Sequence, residues 1–263
     1  MTSDELTPTE QMVLAHVKSG SAFQLLQLLA EEDSAVQEEI ADKSFSLGLR
    51  VAGGMQRSIK VVNGRISPVD NSVSGSGVIF RFPTYSQLNN LLSGRKSRMI
   101  PIIKTFKAGG IISSFKSLTS RIPVYMNAEG TFLEDNFTFI TRLLICAALR
   151  GIKEVAENDP YVSDRVAGIP DGIIALHVEG CSELEARIKK HGGSFTVLTG
   201  RDETIPNAAL TFNSPETAYN LFTGKINAVV ALGTSDVKIR GRIPMIQGLF
   251  PILDRLSFYM AIK

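Results

Sequence analysis

The stretch Asn207-Ala-Ala-Leu210-Thr-Phe212-Asn-Ser214-Pro-Glu-Thr-Ala218-Tyr-Asn-Leu221-Phe222-Thr-Gly224-Lys225 opens the last third of the chain, and its reading decides the fold. Ala208, Leu210 and Phe212 alternate with Ala209 and Thr211, the period of two that marks a half-buried strand. Ser214-Pro215 then places an N-cap serine before a first-turn proline, so a helix should follow, and Ala218, Leu221 and Phe222 share one face of it. Gly224 stops that helix. Beyond a short apolar segment from Ile226 to Leu232, Val237-Lys-Ile239-Arg-Gly241 again alternates as a strand. Met245, Leu249, Ile252, Leu253, Leu256 and Met260 then recur at helical spacing and predict a C-terminal helix with one wide apolar face.

Leu210-Thr-Phe212, Leu221, Gly224-Lys225, Val237-Lys-Ile239, Gly241 and the amphipathic helix after them resemble, in order and spacing, the sterol carrier protein family of the second type. The resemblance implies an open sheet covered by helices, with an apolar tunnel between them that holds a lipid tail or fatty acyl chain. It brings no catalytic motif and no cofactor. On that basis Leu210 and Phe212, the segment around Val230, and Met245, Leu249, Leu253 and Leu256 are the candidate lipid-binding residues. Methionine suits such a lining because its unbranched thioether adapts to varied neighbours, although the same residues also serve as ordinary core.

The pattern occurs twice. Phe82, Asn90, Leu91 and Gly94 match Phe212, Asn220, Leu221 and Gly224 at one constant shift. Upstream, Asp33-x-x-Val36-x-x-x-Ile40-Ala41 matches Asp159-x-x-Val162-x-x-x-Val166-Ala167, and Leu49-x-Val51 matches Leu176-x-Val178. Order kept over this length argues for two copies of one domain, residues 1–127 and 128–263. The fold class is therefore α+β, with each copy a five-stranded, mainly antiparallel sheet covered by helices. In the first copy Thr7-Pro-Thr-Glu10 is a capping box opening a short helix that closes at Gly20, and Ser21 starts another. Phe45 to Val51, Met55 to Val62 and Arg65 to Val69 read as three antiparallel strands, with Asn63-Gly64 at the second turn and Pro68 suited to an edge. After Gly94 the first copy departs from the pattern: Ile100-Pro-Ile-Ile103 lacks a Lys-Ile-x-Gly partner, and its last helix is expected to be shorter and serine-rich.

Composition narrows the function. The 263 residues are 44% apolar, high for a soluble chain and compatible with one that lines a lipid cavity. The longest apolar run, Phe137 to Leu149, carries Arg142 and is too short to span a bilayer. An acidic start, Met1-Thr-Ser-Asp-Glu-Leu6, with two isolated cysteines, Cys146 and Cys181, predicts a cytoplasmic protein without disulfides. His16, His177 and His191 have no metal-ligand spacing, and no nucleophile elbow or phosphate loop is present, so no metal is expected and an enzyme is the less favoured class. Charge is unevenly spread: residues 1–42 hold nine acids and one lysine, whereas residues 71–128 hold eight Lys or Arg and no acid. Arg95, Lys96 and Arg98 are the candidate contacts with an anionic membrane surface; nucleic acid is disfavoured because no exposed aromatics interleave with the charges. Three readings thus stand: a non-enzymatic lipid or fatty-acyl carrier, an enzyme or accessory protein of lipid, acyl-thioester or isoprenoid-quinone metabolism, and a partner-recruiting module with a filled core.

Overall fold

A computed structural model describes residues 5–199, 204–226 and 228–262. The chain divides into two compact units, one reaching Ala128 and the other running from Glu129 to Ala261. Among the described residues no helix is long and apolar enough to cross a membrane.

In the first unit, helix α1 (Pro8–Glu32) begins at the capping box, where the Glu10 N–H donates to Thr7 Oγ1 (3.2 Å) and the Thr7 N–H to Glu10 Oε2 (3.0 Å). It runs unbroken through Gly20, where the sequence suggested an end. Ser19 and Gly20 are buried there, and the helix keeps its apolar residues Val13, Val17, Phe23, Leu26 and Leu29 in the core, so packing overrides the roughly 1 kcal/mol that glycine costs inside a helix. Helix α2 (Ser34–Ile40) is followed by strands β1 (Phe45–Val51), β2 (Gln56–Val62), β3 (Arg65–Asp70) and β4 (Val78–Phe82), helix α3 (Tyr85–Leu92), strand β5 (Ile100–Ile103) and helix α4 (Ala108–Met126). The sheet order is β3-β2-β1-β4-β5, antiparallel except for the β1–β4 pair. Asn63 and Gly64 both take positive φ (50° and 72°), the turn that lets β2 return as β3, and Pro68 lies on that edge strand.

The second unit repeats the plan. Helices α5 (Gly130–Asp135), α6 (Phe137–Asn158) and α7 (Ser163–Gly168) precede strands β6 (Gly172–Val178), β7 (Ala186–His191), β8 (Ser194–Thr199) and β9 (Ala208–Phe212). Helix α8 (Pro215–Phe222), helix α9 (Ala228–Gly233), strand β10 (Val237–Gly241) and helix α10 (Ile243–Met260) complete it. The sheet order is β10-β9-β6-β7-β8, again with one parallel pair, β6–β9. Read from the other edge this is the order of the first sheet, and the register agrees. Leu49 lies opposite Phe80 and Val51 opposite Phe82, as Leu176 lies opposite Leu210 and Val178 opposite Phe212.

The turn after the fourth strand is the same in both units. Thr84 and Ser214 cap α3 and α8 by accepting the Gln87 and Thr217 N–H groups. Each helix ends on a left-handed glycine, Gly94 (φ 71°) or Gly224 (φ 75°), and the next N–H reaches back 2.8 Å to the carbonyl of Asn90 or Asn220. The sequence expected a shortened last helix in the first unit, but α4 has 19 residues against 18 in α10; its serines form part of the helix, and Ser114 is buried.

Candidate functional site

The apolar face of the second sheet is built from alternate residues of neighbouring strands: Ile174, Leu176 and Val178 on β6, Ala208, Leu210 and Phe212 on β9, Val237 and Ile239 on β10. Helix α10 packs against α6, α7 and β9. Met245, Leu249 and Leu256 are buried on α10 and Leu253 is half-buried. Phe212 is buried, with its ring 5.9 Å from that of Phe222. Leu210, between the buried Ala208 and Phe212, is half-buried, as is its cross-strand partner Ile239. The candidate residues do not all share one surface. Leu256 sits in the seam between α10 and α6, where a Cβ on Gly151 would lie 2.7 Å from Leu256 Cδ1, and Val230 on α9 is 60% exposed.

Comparison of the two units shows how differently the same space is filled. In the first, Phe80 of β4 is buried with its ring 6.4 Å from Phe115 of α4, and Phe115 meets Phe23 of α1 edge-on at 6.4 Å. The sheet register makes Leu210 the counterpart of Phe80. Counting back from the capping aspartates Asp33 and Asp159, Leu149 of α6 corresponds to Phe23; counting from the last-helix arginines and tyrosines described below, Leu249 corresponds to Phe115. Three phenylalanines in ring contact in one unit therefore correspond to three leucines in the other; Phe115 in the first and Leu210 in the second are half-buried, and the other four are buried.

Those arginines and tyrosines belong to a polar clamp that both units contain. Asp159 ends α6; its Oδ1 accepts the Tyr161 N–H (3.0 Å), and its Oδ2 accepts Arg255 Nε (2.8 Å) and the Tyr259 hydroxyl (2.9 Å). Arg255 Nη2 donates to Tyr259 Oη at 2.7 Å, and the guanidinium also lies over the rings of Tyr161 and Phe258. In the first unit Asp33 accepts the Val36 N–H (3.1 Å) and Arg121 Nε (2.8 Å), and Tyr125 hydrogen-bonds the same carboxylate. Burial opposes ionisation of Asp33, but its bonds to Arg121, the Val36 N–H and Tyr125 together outweigh burial and hold its carboxyl below the usual range. Burial, reinforced by the neighbouring aspartate, pushes both Tyr125 and Tyr259 upward. The clamp was legible as Arg-x-x-x-Tyr near the end of each half, Arg121 to Tyr125 and Arg255 to Tyr259, but the expectation of a divergent last helix in the first half hid the match.

Among the described residues no group of three or more His, Cys, Asp or Glu is placed to hold a metal. His177 is half-exposed beside Glu185 (3.5 Å), and neither Cys146 nor Cys181 is in a disulfide. Arg95, Lys96 and Arg98 are exposed on the turn between α3 and β5.

No protein-family model matches the sequence, and no curated protein matches it. Among solved structures, the chain is similar to the sterol carrier protein domain 2 of Helicoverpa armigera, with 20% identity and a TM-score of 0.32 over 44% of this chain and 89% of that one. It is likewise similar to sterol carrier protein 2 from Yarrowia lipolytica, in its apo form (20%, TM-score 0.30, 42% and 90%), and to a UbiJ-SCP2 ubiquinone synthesis protein (13%, TM-score 0.33, 43% and 96%). The resemblance in each case is to a sterol-carrier-type domain that spans less than half of this chain.

Proposed function

We propose that the chain is a non-enzymatic carrier built of two tandem sterol-carrier-type domains, residues 1–127 and 128–263, in which the second holds a lipid or fatty acyl chain between its sheet and its C-terminal helix and the first has a filled core. The observation that supports this most is the exchange of Phe23, Phe80 and Phe115 for Leu149, Leu210 and Leu249. Phenylalanine is the bulkier side chain, and close-packed interiors feel a difference of even one methylene. On this reading, three leucines in place of three contacting rings on facing elements leave room for a ligand tail, with the half-buried Leu210 and Leu253 at its opening. Such a site is mostly apolar, as small-molecule sites are, and needs no titrating group. The resemblance of Leu210 to Met260 to the sterol carrier pattern points to the same class of cargo, within a reduced, cytoplasmic setting.

Native mass spectrometry of the gently purified chain, with displacement of a fluorescent fatty acid, tests the reading. A co-purifying acyl or isoprenoid chain and saturable uptake are expected. Leu210→Phe with Leu249→Phe, which gives the second unit the packing of the first, should abolish uptake without unfolding the protein, and Leu253→Trp should block the same space. A ligand-free mass with no uptake would favour the partner-recruiting module; undiminished uptake in both variants would place the cargo elsewhere.

A further inference from the structure

Strand β5 is an edge strand that leaves apolar side chains exposed on both of its faces. Ile100 is 50% exposed and Ile103 58%, Met99 before them is also exposed, and Phe106, three residues past the strand, is fully exposed. The second unit supplies an internal control. Ile100 and Ile102 lie opposite Arg81 and Ile79 on β4, in the register positions where β10 sets Lys238 and Arg240 opposite Thr211 and Ala209. Both Lys238 and Arg240 are exposed. Charged residues on an outer strand are the usual protection against unwanted pairing, so the first unit has isoleucine where the shared plan has that protection.

The surroundings of this strand identify what meets it. Arg95, Lys96 and Arg98 precede it, and Lys104 and Lys107 follow, all exposed. No acidic residue occurs between residues 71 and 128. The first turn is held in place rather than loose: Ser97 Oγ donates to the Gln87 carbonyl (2.5 Å), and the Arg98 N–H donates to Gln87 Oε1 (2.6 Å). Lys18 of α1 donates to Ser93 Oγ at 2.7 Å; burial, and to a lesser degree the charge of Arg95, lowers its pKa. Cations spaced through exposed Ile and Phe match the two layers of a bilayer surface, anionic headgroup over acyl chain. A second copy of the chain fits poorly, since antiparallel pairing of two β5 edges would bring the two sets of cations together.

We propose that β5 and its flanking turns form the surface by which the protein docks on anionic membranes, with Lys96, Arg98, Lys104 and Lys107 on the headgroups and Ile103 and Phe106 inserted below them. Charge supplies capture, which falls with salt; the inserted side chains supply a part that does not. The docking stands whether or not the second unit carries a lipid.

Co-sedimentation of the full chain with vesicles of phosphatidylcholine, alone or with phosphatidylglycerol, tests this at low and high salt. Binding is expected to be much stronger with phosphatidylglycerol than with phosphatidylcholine alone, and part of it should resist high salt. Lys96→Gln with Arg98→Gln should weaken low-salt binding by about tenfold or more, since each cation near an anionic surface multiplies partitioning about fivefold. Ile103→Ser with Phe106→Ser should retain low-salt capture and lose the salt-resistant fraction; Phe106→Ala alone, at a fully exposed position, should lose part of it without affecting the melting temperature. Absence of binding, equal binding to pure phosphatidylcholine, or an unchanged salt-resistant fraction in the serine variant would overturn the proposal. So would a concentration-dependent dimer that the serine variant abolishes, because the occupant would then be a second copy.

Discussion

Replacing Asp159 by alanine should loosen the C-terminal helix of the second unit more than any comparable change on its surface. The carboxylate is 2% exposed as a side chain, its partner Arg255 17%, and it accepts three hydrogen bonds from three separate groups. Loss of the cap to Tyr161 costs about 1 kcal/mol. Removal of one member of a buried ion pair costs about 3–5 kcal/mol, chiefly because the other charge is left without compensation. Arg255 retains Tyr259 Oη and three aromatic faces and can turn partly to water, so the lower end applies and the cap falls within it: about 3 kcal/mol in total. For a unit of this size that corresponds to a fall in melting midpoint of roughly 10 °C. Hydrogen exchange followed by mass spectrometry on the full chain reads each unit separately, and protection should fall first in α10 and the end of α6. Tyr259→Phe, which spares the ion pair, should cost about 1–2 kcal/mol. A loss below about 1 kcal/mol for Asp159→Ala, or additive effects of Asp159→Ala and Arg255→Ala in a double-mutant cycle, would refute the reasoning.

The first unit should respond to acid through Asp33. Its carboxyl is held below the unfolded value of about 3.9, so the stability it contributes is complete above that pH and is lost as pH falls through the lower folded value; Asp33→Asn should be less stable at neutral pH and show a shallower loss below about pH 4 in urea titrations. In the second unit, Gly248→Ala would put a Cβ 2.4 Å from Ile169 Cγ1, and overpacking of this kind costs about 1–3 kcal/mol; Ile169→Val should recover part of the loss of melting temperature, and an unaffected midpoint would mean that α10 has room to shift.

The architecture was largely legible because its signals are local. Period-two alternation marked the strands, Thr7, Ser214 and the Gly94 and Gly224 stops marked helix ends, and Asn63-Gly64 marked a hairpin. What escaped was set by tertiary packing. The run through Gly20 reads as a break because glycine is a poor helix former, but burial of both flanks outweighs that preference. The segment from Ile226 to Leu232 holds a short helix, α9, whose apolar run does not separate helix from strand by period alone. The lipid candidates were drawn from apolar periodicity, which separates face from back along one element but does not tell a helix–helix seam from a sheet–helix gap. Leu256 and Leu210 look alike in sequence, but one packs on Gly151 and the other stands half-open.

The two units, compared with each other, sort fold from function without any third protein. Where they agree, the residues close the structure: Phe82 and Phe212 beside the parallel pair, Gly94 and Gly224 at the helix ends, and the clamps Asp33–Arg121–Tyr125 and Asp159–Arg255–Tyr259 that fasten the last helix to the first layer. Where they differ, the change is systematic rather than scattered. The second unit has Leu149, Leu210 and Leu249 behind a polar edge strand, whereas the first has Phe23, Phe80 and Phe115 at the matching positions and an edge that is apolar and basic. If the second unit carries a lipid and the first docks on a membrane, as proposed above, the two copies divide two tasks that a single small domain would have to combine. Graft experiments can separate them: Phe80→Leu with Phe115→Leu should let the first unit take up a fluorescent acyl chain without altering vesicle binding, and loss of vesicle binding in that variant would mean that the two tasks share one surface.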